Sequence, residues 1–268
     1  MNGLPSYDVF AIRYAEQKER PEGSTFMGGD PAKMIPGLDF FTYVITGAGR
    51  TWIVDTGFNS DISGEGGRMF LHDPAAVLAR LGVDAKTAPD VLLTHAHFDH
   101  VGNLADYPAA SFRMHAEEMA SITGPDMTHP AFRHAYHLRD TQALVQLVYE
   151  DRMRFDTDPV AEIAPGLESH LIGGHARGQT VLRVHSKRGW ILLASDAVHL
   201  FEEVTDERPF AIFYDLAKMV EGYRRCLALA GSLDRLVPGH DQLVTARYPA
   251  PGAELEGIVL DLGAEPSA

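Results

Sequence analysis

The chain has 268 residues, 45% hydrophobic and 22% charged, an ordinary make-up for a globular protein long enough to bury a substantial core. Its formal net charge of −14 argues against nucleic acid and anionic membranes, which need clustered Lys and Arg, and favours a neutral or weakly charged small molecule as partner. Cys226 is the only cysteine, which excludes an internal disulfide and a thiolate-rich metal site, and its apolar neighbours Leu227, Ala228 and Leu229 mark it as a buried small residue.

No apolar run reaches the roughly 18 residues that would cross a bilayer. The first residues, Met1 to Asp8, contain no basic segment leading into an apolar core, so cytoplasmic residence is the expectation. Thirteen histidines are the one compositional surplus.

In chain order, Val9–Ile12 reads as an opening strand. From Ala15 to Gly37 the chain turns polar and rich in Gly and Pro, with Phe26, Met27 and Met34 scattered through it; a long irregular loop of this kind suits a flap over a pocket. Phe40–Ile45 and Thr51–Asp55 flank a Gly-containing turn and form a hairpin. After a glycine-rich loop, Phe58 to Arg68, Asp73-Pro74 opens a helix that ends near Leu81 before Gly82. Val91–Leu93 and Phe112–Met114 are short strands, His115–Ile122 is a helix, and Ala131 to Tyr149 is largely helical, with Leu138, Leu144, Leu147 and Val148 on one side. His129, His134 and His137 lie along that segment as surface or pocket-wall residues. Strands follow at Ser169–Ile172, Thr180–Val184 and Trp190–Ala194, then a helix over Asp215–Leu229 with Tyr223 on its apolar face, then a strand from Leu233 to Val237. No repeat or low-complexity linker divides the chain. That order suits an α/β fold, an αββα sandwich of two mixed β-sheets flanked by helices in a single domain over residues 1–268, although other α/β arrangements share it.

The stretch Thr94-His95-Ala96-His97-Phe98-Asp99-His100 places four metal-competent side chains within six residues, directly after a buried strand. Three further candidates also follow apolar or glycine-rich strand ends: Gly173-Gly174-His175, Ser195-Asp196 and Pro238-Gly239-His240. Side chains projecting from several strand ends can converge on one edge of a sheet. Imidazole and carboxylate donors suit zinc, with iron, manganese or cobalt as alternatives. Two such ions about 3.5–4 Å apart can share a hydroxide formed from water of pKa about 7, a nucleophile that needs neither serine nor cysteine.

With His95-Ala96-His97-Phe98-Asp99-His100, the chain resembles the metallo-β-lactamase superfamily and its His-x-His-x-Asp-His signature, from Asp55-Thr56-Gly57-Phe58 through Pro238-Gly239-His240-Asp241. The resemblance implies that His95, His97 and His175 hold one metal, Asp99, His100 and His240 the other, and Asp196 bridges them; a one-metal site would leave Asp99 free as a general base. Within the superfamily the chain is most similar to the N-acyl-homoserine lactone lactonases that act in quorum quenching. The matching stretches are Ile12-Arg13-Tyr14, Gly29-Asp30-Pro31, Phe40–Ile45 and the closing Val237–Asp241. The resemblance therefore implies opening of a lactone ring on a two-zinc centre, with Asp99 assisting the leaving alkoxide. Many such lactonases carry a tyrosine three residues after the bridging aspartate. Here that position is His199, whose imidazole can donate a hydrogen bond in place of the phenol, with Tyr214 and Tyr223 as other candidates.

Two rivals share the motif. A glyoxalase-II-like thioesterase would use the same metals, but usually grips glutathione with basic residues near the C-terminus, where only Arg247 follows His240. A non-catalytic metal-binding module is the other. Apolar residues of the N-terminal loop could serve a homodimer as readily as a substrate.

Overall fold

Alternate side chains along the apolar strands point to opposite faces, and in this chain both faces are covered. The computed structural model, which describes residues 3–267, arranges the strands in two sheets. The first is built from β1 (Asp8–Pro21), β2 (Met34–Gly47), β3 (Arg50–Val54), β4 (Met69–Phe70), β5 (Asp90–Leu92), β6 (Ser111–His115) and β7 (Met153–Asp156). The second holds β8 (Val160–Ala164), β9 (Leu167–Leu171), β10 (Thr180–Ser186), β11 (Gly189–Ser195) and β12 (Leu236–Pro238), after which β13 (Val259–Asp261) returns to the edge of the first. The strand orders are β13-β1-β2-β3-β5-β6-β7, with β4 on β1, and β12-β11-β10-β9-β8. The pairings β3·β5, β5·β6, β6·β7 and β11·β12 are parallel and the rest antiparallel, so both sheets are mixed.

Ala11, Tyr43, Ile45, Trp52 and Val54 face the second sheet and pack on Leu182, Val184, Ile191, Leu193 and Val237. Their alternating neighbours Ile12, Val44 and Ile53 face outward against Val77 and Leu78 of α2 (Pro74–Arg80) and Leu144 and Leu147 further along. Val181, Leu192 and Ala194, on the far face of the second sheet, pack on Met219, Tyr223, Cys226 and Ala230 of the longest helix. Helices thus cover both outer faces, as the αββα reading requires. Each large apolar side chain so buried contributes about 1.5–3 kcal/mol.

The helix boundaries follow local chemistry. Between β1 and β2 lies a single turn, α1 (Glu22–Thr25). Asp73 caps α2 by accepting from the Ala75 and Ala76 amides, with Pro74 at the first helical position, and Gly82 (φ +77°) follows its end. Next come α3 (Phe98–Val101), α4 (Ala116–Ile122), α5 (Pro130–Arg133), α6 (Leu138–Tyr149), α7 (Phe201–Thr205), α8 (Leu216–Ala230) and α9 (Gln242–Arg247). Asp215 caps α8 at the Lys218 amide, and Gly231 at φ +80° closes it with a bond to the Leu227 carbonyl.

Three expectations are corrected. Ala15–Gly37 is not an irregular loop: β1 and β2 run on together to the pair Pro21↔Met34, so the flap is a hairpin arm with α1 at its tip. Its charged run carries no strand signal; what holds it is backbone pairing and the close approach at Gly37, where a Cβ would lie 1.8 Å from the Gln17 carbonyl oxygen. The tip is anchored by buried Phe26, which bridges to Phe210, while Met27 and Met34 are exposed. The segment Ala131–Tyr149 is two helices rather than one, broken at 134–137, and Leu138 is 74% exposed, off the apolar stripe. Residues Leu233–Arg235 form a 3₁₀ turn before β12 begins.

Gly174 is where backbone freedom matters most. It sits at φ +89°, and a Cβ there would lie 2.5 Å from backbone atoms of Met219 in the first turn of α8. Gly174→Ala is expected to lower unfolding stability by about 1–3 kcal/mol, seen as a lower denaturant midpoint at unchanged slope.

Candidate metal centre

Every side chain of the centre follows the end of a strand. β3 delivers Asp55, β5 delivers His95, His97, Asp99 and His100, the turn after β9 delivers His175, β11 delivers Asp196, and β12 delivers His240. Two backbone turns that aim these groups are strained: Asp55 and Ser195 hold φ +58° and +45° without being glycine.

The seven expected residues come together, all buried, as two groups that share Asp196: His95, His97, His175 and Asp196, and Asp99, His100, Asp196 and His240. Asp196 sits at the middle. Its Oδ2 is 3.4 Å from His175 Nε2 and 3.9 Å from His95 Nε2; its Oδ1 is 3.2 Å from His100 Nε2 and 3.1 Å from His240 Nε2. Asp99 Oδ2 lies 3.7 Å from His240 Nε2.

The outer nitrogens are already committed. Nδ1 of His100 meets Asp55 Oδ2 at 2.8 Å, that of His240 the Asp39 carbonyl at 2.8 Å, and that of His175 the Ile212 carbonyl at 3.0 Å. His95 Nδ1 lies 3.2 Å from Thr94 Oγ1. With Nδ1 so engaged, each of these rings turns Nε2 inward, where its neutral form offers a lone pair, the usual way in which outer partners orient metal-binding histidines. His97 is the exception, with Nδ1 facing inward, 2.8 Å from His175 Nε2. The buried Nε2 atoms of His95 and His100 have no hydrogen-bond partner among the described residues. Inward lone pairs without partners, grouped around a shared carboxylate, fit divalent cations.

The electrostatics divide the imidazoles. Burial pushes His95 and His175 well below the usual histidine range, and His97 to about 3, leaving them neutral as ligation requires. Burial also opposes charge on His100, but the carboxylates of Asp196, Asp55 and Asp99 outweigh it and hold its imidazolium well up. Burial disfavours the Asp196 anion, yet the surrounding histidines, His240 first, keep its carboxyl well below the normal range. Carboxylates that hold a proton on His100 would hold a metal ion in its place, with release of that proton.

His199 lies outside both groups but beside them. Its Nε2 is 3.3 Å from Asp196 Oδ2, and its Nδ1 is 3.2 Å from Glu203 Oε1. The ring lies flat on Phe210, with centroids 3.6 Å apart. Glu203 is itself fixed by accepting the amides of His199 and Leu200 at 2.7 and 2.8 Å. Burial opposes the cation, but Glu203 and then Asp196 prevail and hold the His199 imidazole up at about 9. The other two candidates are occupied elsewhere: Tyr214 donates to Asp126, and the Tyr223 hydroxyl accepts the Phe210 amide. His129 and His134 are exposed and His137 stacks on Phe98, which agrees with their reading as surface and wall residues.

Sequence reasoning missed the supports. Asp55 Oδ1 accepts the Thr94 amide and Oδ2 the Thr94 hydroxyl, both at 2.8 Å. Glu118 of α4, fully buried, accepts the amides of Ala96 and Gly178 at 3.0 and 2.8 Å and so clamps the loops that carry His97 and His175. Asp55 had a signal in its place at the end of β3; Glu118 had none, since its partners are distant in the chain.

Residues 40–240 match the model of the metallo-beta-lactamase superfamily. The chain belongs to that family. Its site offers two groups of side chains that could each hold a metal ion. A probable metallo-hydrolase of Mycobacterium bovis is 26% identical over 167 residues, which cover 55% of this chain and 53% of that protein. The chain thus spans about half the length of the curated relatives it matches. A quorum-quenching N-acyl homoserine lactone lactonase is similar in fold, with TM-score 0.74 at 20% identity, over 90% of this chain and 95% of that one. So is a dizinc quorum-quenching lactonase, with TM-score 0.70 at 16% identity and 90% of each chain covered.

Removal of the Asp55 carboxylate strands the Thr94 amide and His100 Nδ1–H in a buried place. Asp55→Ala is expected to retain zinc roughly 10–100-fold more weakly, as read by competition with a chromogenic chelator.

Proposed function

We propose that this protein opens the ring of a lactone, an N-acyl-homoserine lactone or a relative of one, at a dinuclear metal centre. His95, His97 and His175 would hold one ion and Asp99, His100 and His240 the other, with Asp196 common to both groups. Bound there, two divalent metals supply an activated water near neutral pH and Lewis acidity toward the ester carbonyl. Zinc fits these nitrogen and oxygen donors, as do iron, manganese and cobalt.

The observation that carries the reading is His199. Its Nε2 reaches the edge of the metal cluster beside Asp196, and Glu203 fixes the ring from behind. In the protonated state that Glu203 favours, Nε2–H is a hydrogen-bond donor turned toward Asp196 at the wall of the cavity, where a bound ester could meet it. Hydrolysis of a lactone breaks the acyl C–O bond, and the leaving alkoxide stays tethered to the product. A proton held at His199 Nε2 is in place to neutralise it, a contribution of the kind that Asp99 could share from the other side of the centre. Leu38, Phe40, Phe98 and Phe210 wall a cavity of about 300 Å³ around these groups, room for a compact ring and a short substituent. The lactonase neighbours support the same reading through their shared fold.

The thioesterase alternative loses further support, because Arg247 is held by Asp234 and the Ser267 carbonyl and does not line this cavity. The metal-loaded enzyme is expected to release acid in a pH-stat with acyl-homoserine or aromatic lactones and not with an S-acylglutathione. Preference for the thioester would overturn the lactone assignment. No turnover on either would favour a binding module.

Two substitutions separate the roles. His97→Ala should abolish turnover and lower metal content by elemental analysis. His199→Phe should keep both metals while kcat falls roughly 10²-fold, the lower end for a positioned proton donor.

A further inference from the structure

The same cavity contains two cations that the metal centre does not use. Arg20, near the end of β1, and Arg68, just before β4, both line it together with His97, Asp196 and His199. Each guanidinium is laid on an aromatic wall of the site. The Arg20 Cζ is 5.3 Å from the centroid of Phe210, the ring that backs His199, and the Arg68 Cζ is 4.7 Å from that of Phe98, the residue before Asp99. Stacking of this kind fixes the plane of the guanidinium and leaves its edge free to bond.

Neither cation is satisfied by the protein. Arg20 donates to the Ser24 carbonyl, but its Nε is buried without a hydrogen-bond partner, and among the described residues it has no ion pair. Arg68 Nε is buried in the same condition, and its one carboxylate neighbour, Glu65, is 60% exposed and 3.8 Å away, beyond hydrogen-bond reach. Burial and then the charge of Arg68 pull the Arg20 guanidinium down to about 10. Glu22, two residues beyond Arg20 on the arm, is engaged with Lys33 and Arg208. Partly desolvated, mutually repelling arginines reduce folding stability, and a bidentate acid group is the ligand whose shape and charge would relieve both.

We infer that the preferred substrate is an anionic lactone, one that carries a carboxylate on the part of the molecule remote from the scissile ester, received by Arg20 and Arg68. The inference rests on the lactone reading above and narrows it. It also departs from the neutral ligand that the net charge of −14 favours, because the field inside a cavity is set by the groups that line it. The other carboxylates of the lining, Asp99 and Asp196, face the metal positions, so the mouth is left positive.

The test uses the metal-loaded enzyme and a matched pair of aromatic lactones that differ only in a ring carboxylate or carboxamide. The wild type should favour the carboxylate roughly tenfold or more in kcat/KM, mainly through KM, as expected for a charge-assisted pair. Arg20→Gln/Arg68→Gln should collapse that ratio, and Arg20→Lys should restore part of it. Arg50→Gln, at an exposed pair with Asp90 away from the cavity, should leave the ratio intact. Arg68→Gln alone carries the test if the double variant does not fold. A wild-type ratio near one, or an equal loss on both lactones in the arginine variants, overturns the inference. Calorimetric binding of the corresponding ring-opened dicarboxylate and its monoamide is measured in parallel. Arginine-dependent preference there without any lactone turnover would retain the anion site and defeat the lactone reading instead; no preference in either assay defeats the site.

Discussion

A single buried carboxylate holds the two halves of this molecule in register. Asp55 is fully buried in a left-handed backbone conformation, and its two oxygens accept the Thr94 amide, the Thr94 hydroxyl and His100 Nδ1. Because the Thr94 hydroxyl gives its proton to Asp55, it must accept from Ser195, whose hydroxyl is 2.8 Å away on the other sheet. The Thr94 carbonyl in turn accepts the Thr180 amide of β10 at 2.9 Å. One hydrogen-bond chain therefore fixes the histidine loop after β5 against the turn that carries Asp196. A buried carboxylate without these donors would be costly; with them, the charge becomes the fixed point to which the site is referenced.

From that point outward the polarity of the site follows two rules. Where no carboxylate stands behind the ring, as in His95, His97 and His175, burial outweighs Asp196 in front and leaves the imidazole neutral. Where a carboxylate stands behind the ring, as Asp55 does for His100 and Glu203 for His199, the cation is favoured despite burial. The two carboxylates nonetheless serve different ends. His100 points into the shared donor group, so a metal can replace its proton; His199 lies outside both groups and can keep its own. On the proposed reading, the same device, a carboxylate behind an imidazole, would serve a ligand in one place and a proton donor in another. What decides between them is whether the inner nitrogen meets other donors or only an edge of Asp196.

The candidate ligands were legible in the sequence because each follows an apolar strand or a Gly-rich turn, and strand ends of one sheet edge must be neighbours in space. An α/β order was legible too, but the two-sheet sandwich rested on the family resemblance, since apolar runs such as Val181–Leu182 and Ile191–Ala194, buried on both faces, suit other α/β sheets equally. The supports were not legible. Glu118 joins Ala96 to Gly178 across separations of 22 and 60 residues, and no local pattern encodes such a clamp. The hairpin arm was hidden for another reason. Beyond Ala15 its residues are charged and half-exposed, so neither propensity nor alternation marks them as a strand, and only the register inherited from the apolar part of β1 extends the ladder to Pro21.

That extension matters for how the cavity could change without loss of its chemistry. The metal-facing groups sit on turns anchored in the two-sheet core, whereas Arg20 and Arg68 sit on the arm and on the loop that pairs with it through β4. The arm touches the reacting region through Phe26 against Phe210 and Arg20 over the same ring, and Phe210 in turn carries His199. A change of arm sequence can therefore alter which substituent is received while Asp55, Glu118 and the strand ends keep the donors in place. Two rings couple the layers: Phe210 lies between Arg20 and His199, and Phe98 lies under Arg68 and directly precedes Asp99. On the proposed reading, selection at the mouth and proton transfer at the centre would meet only through those two rings.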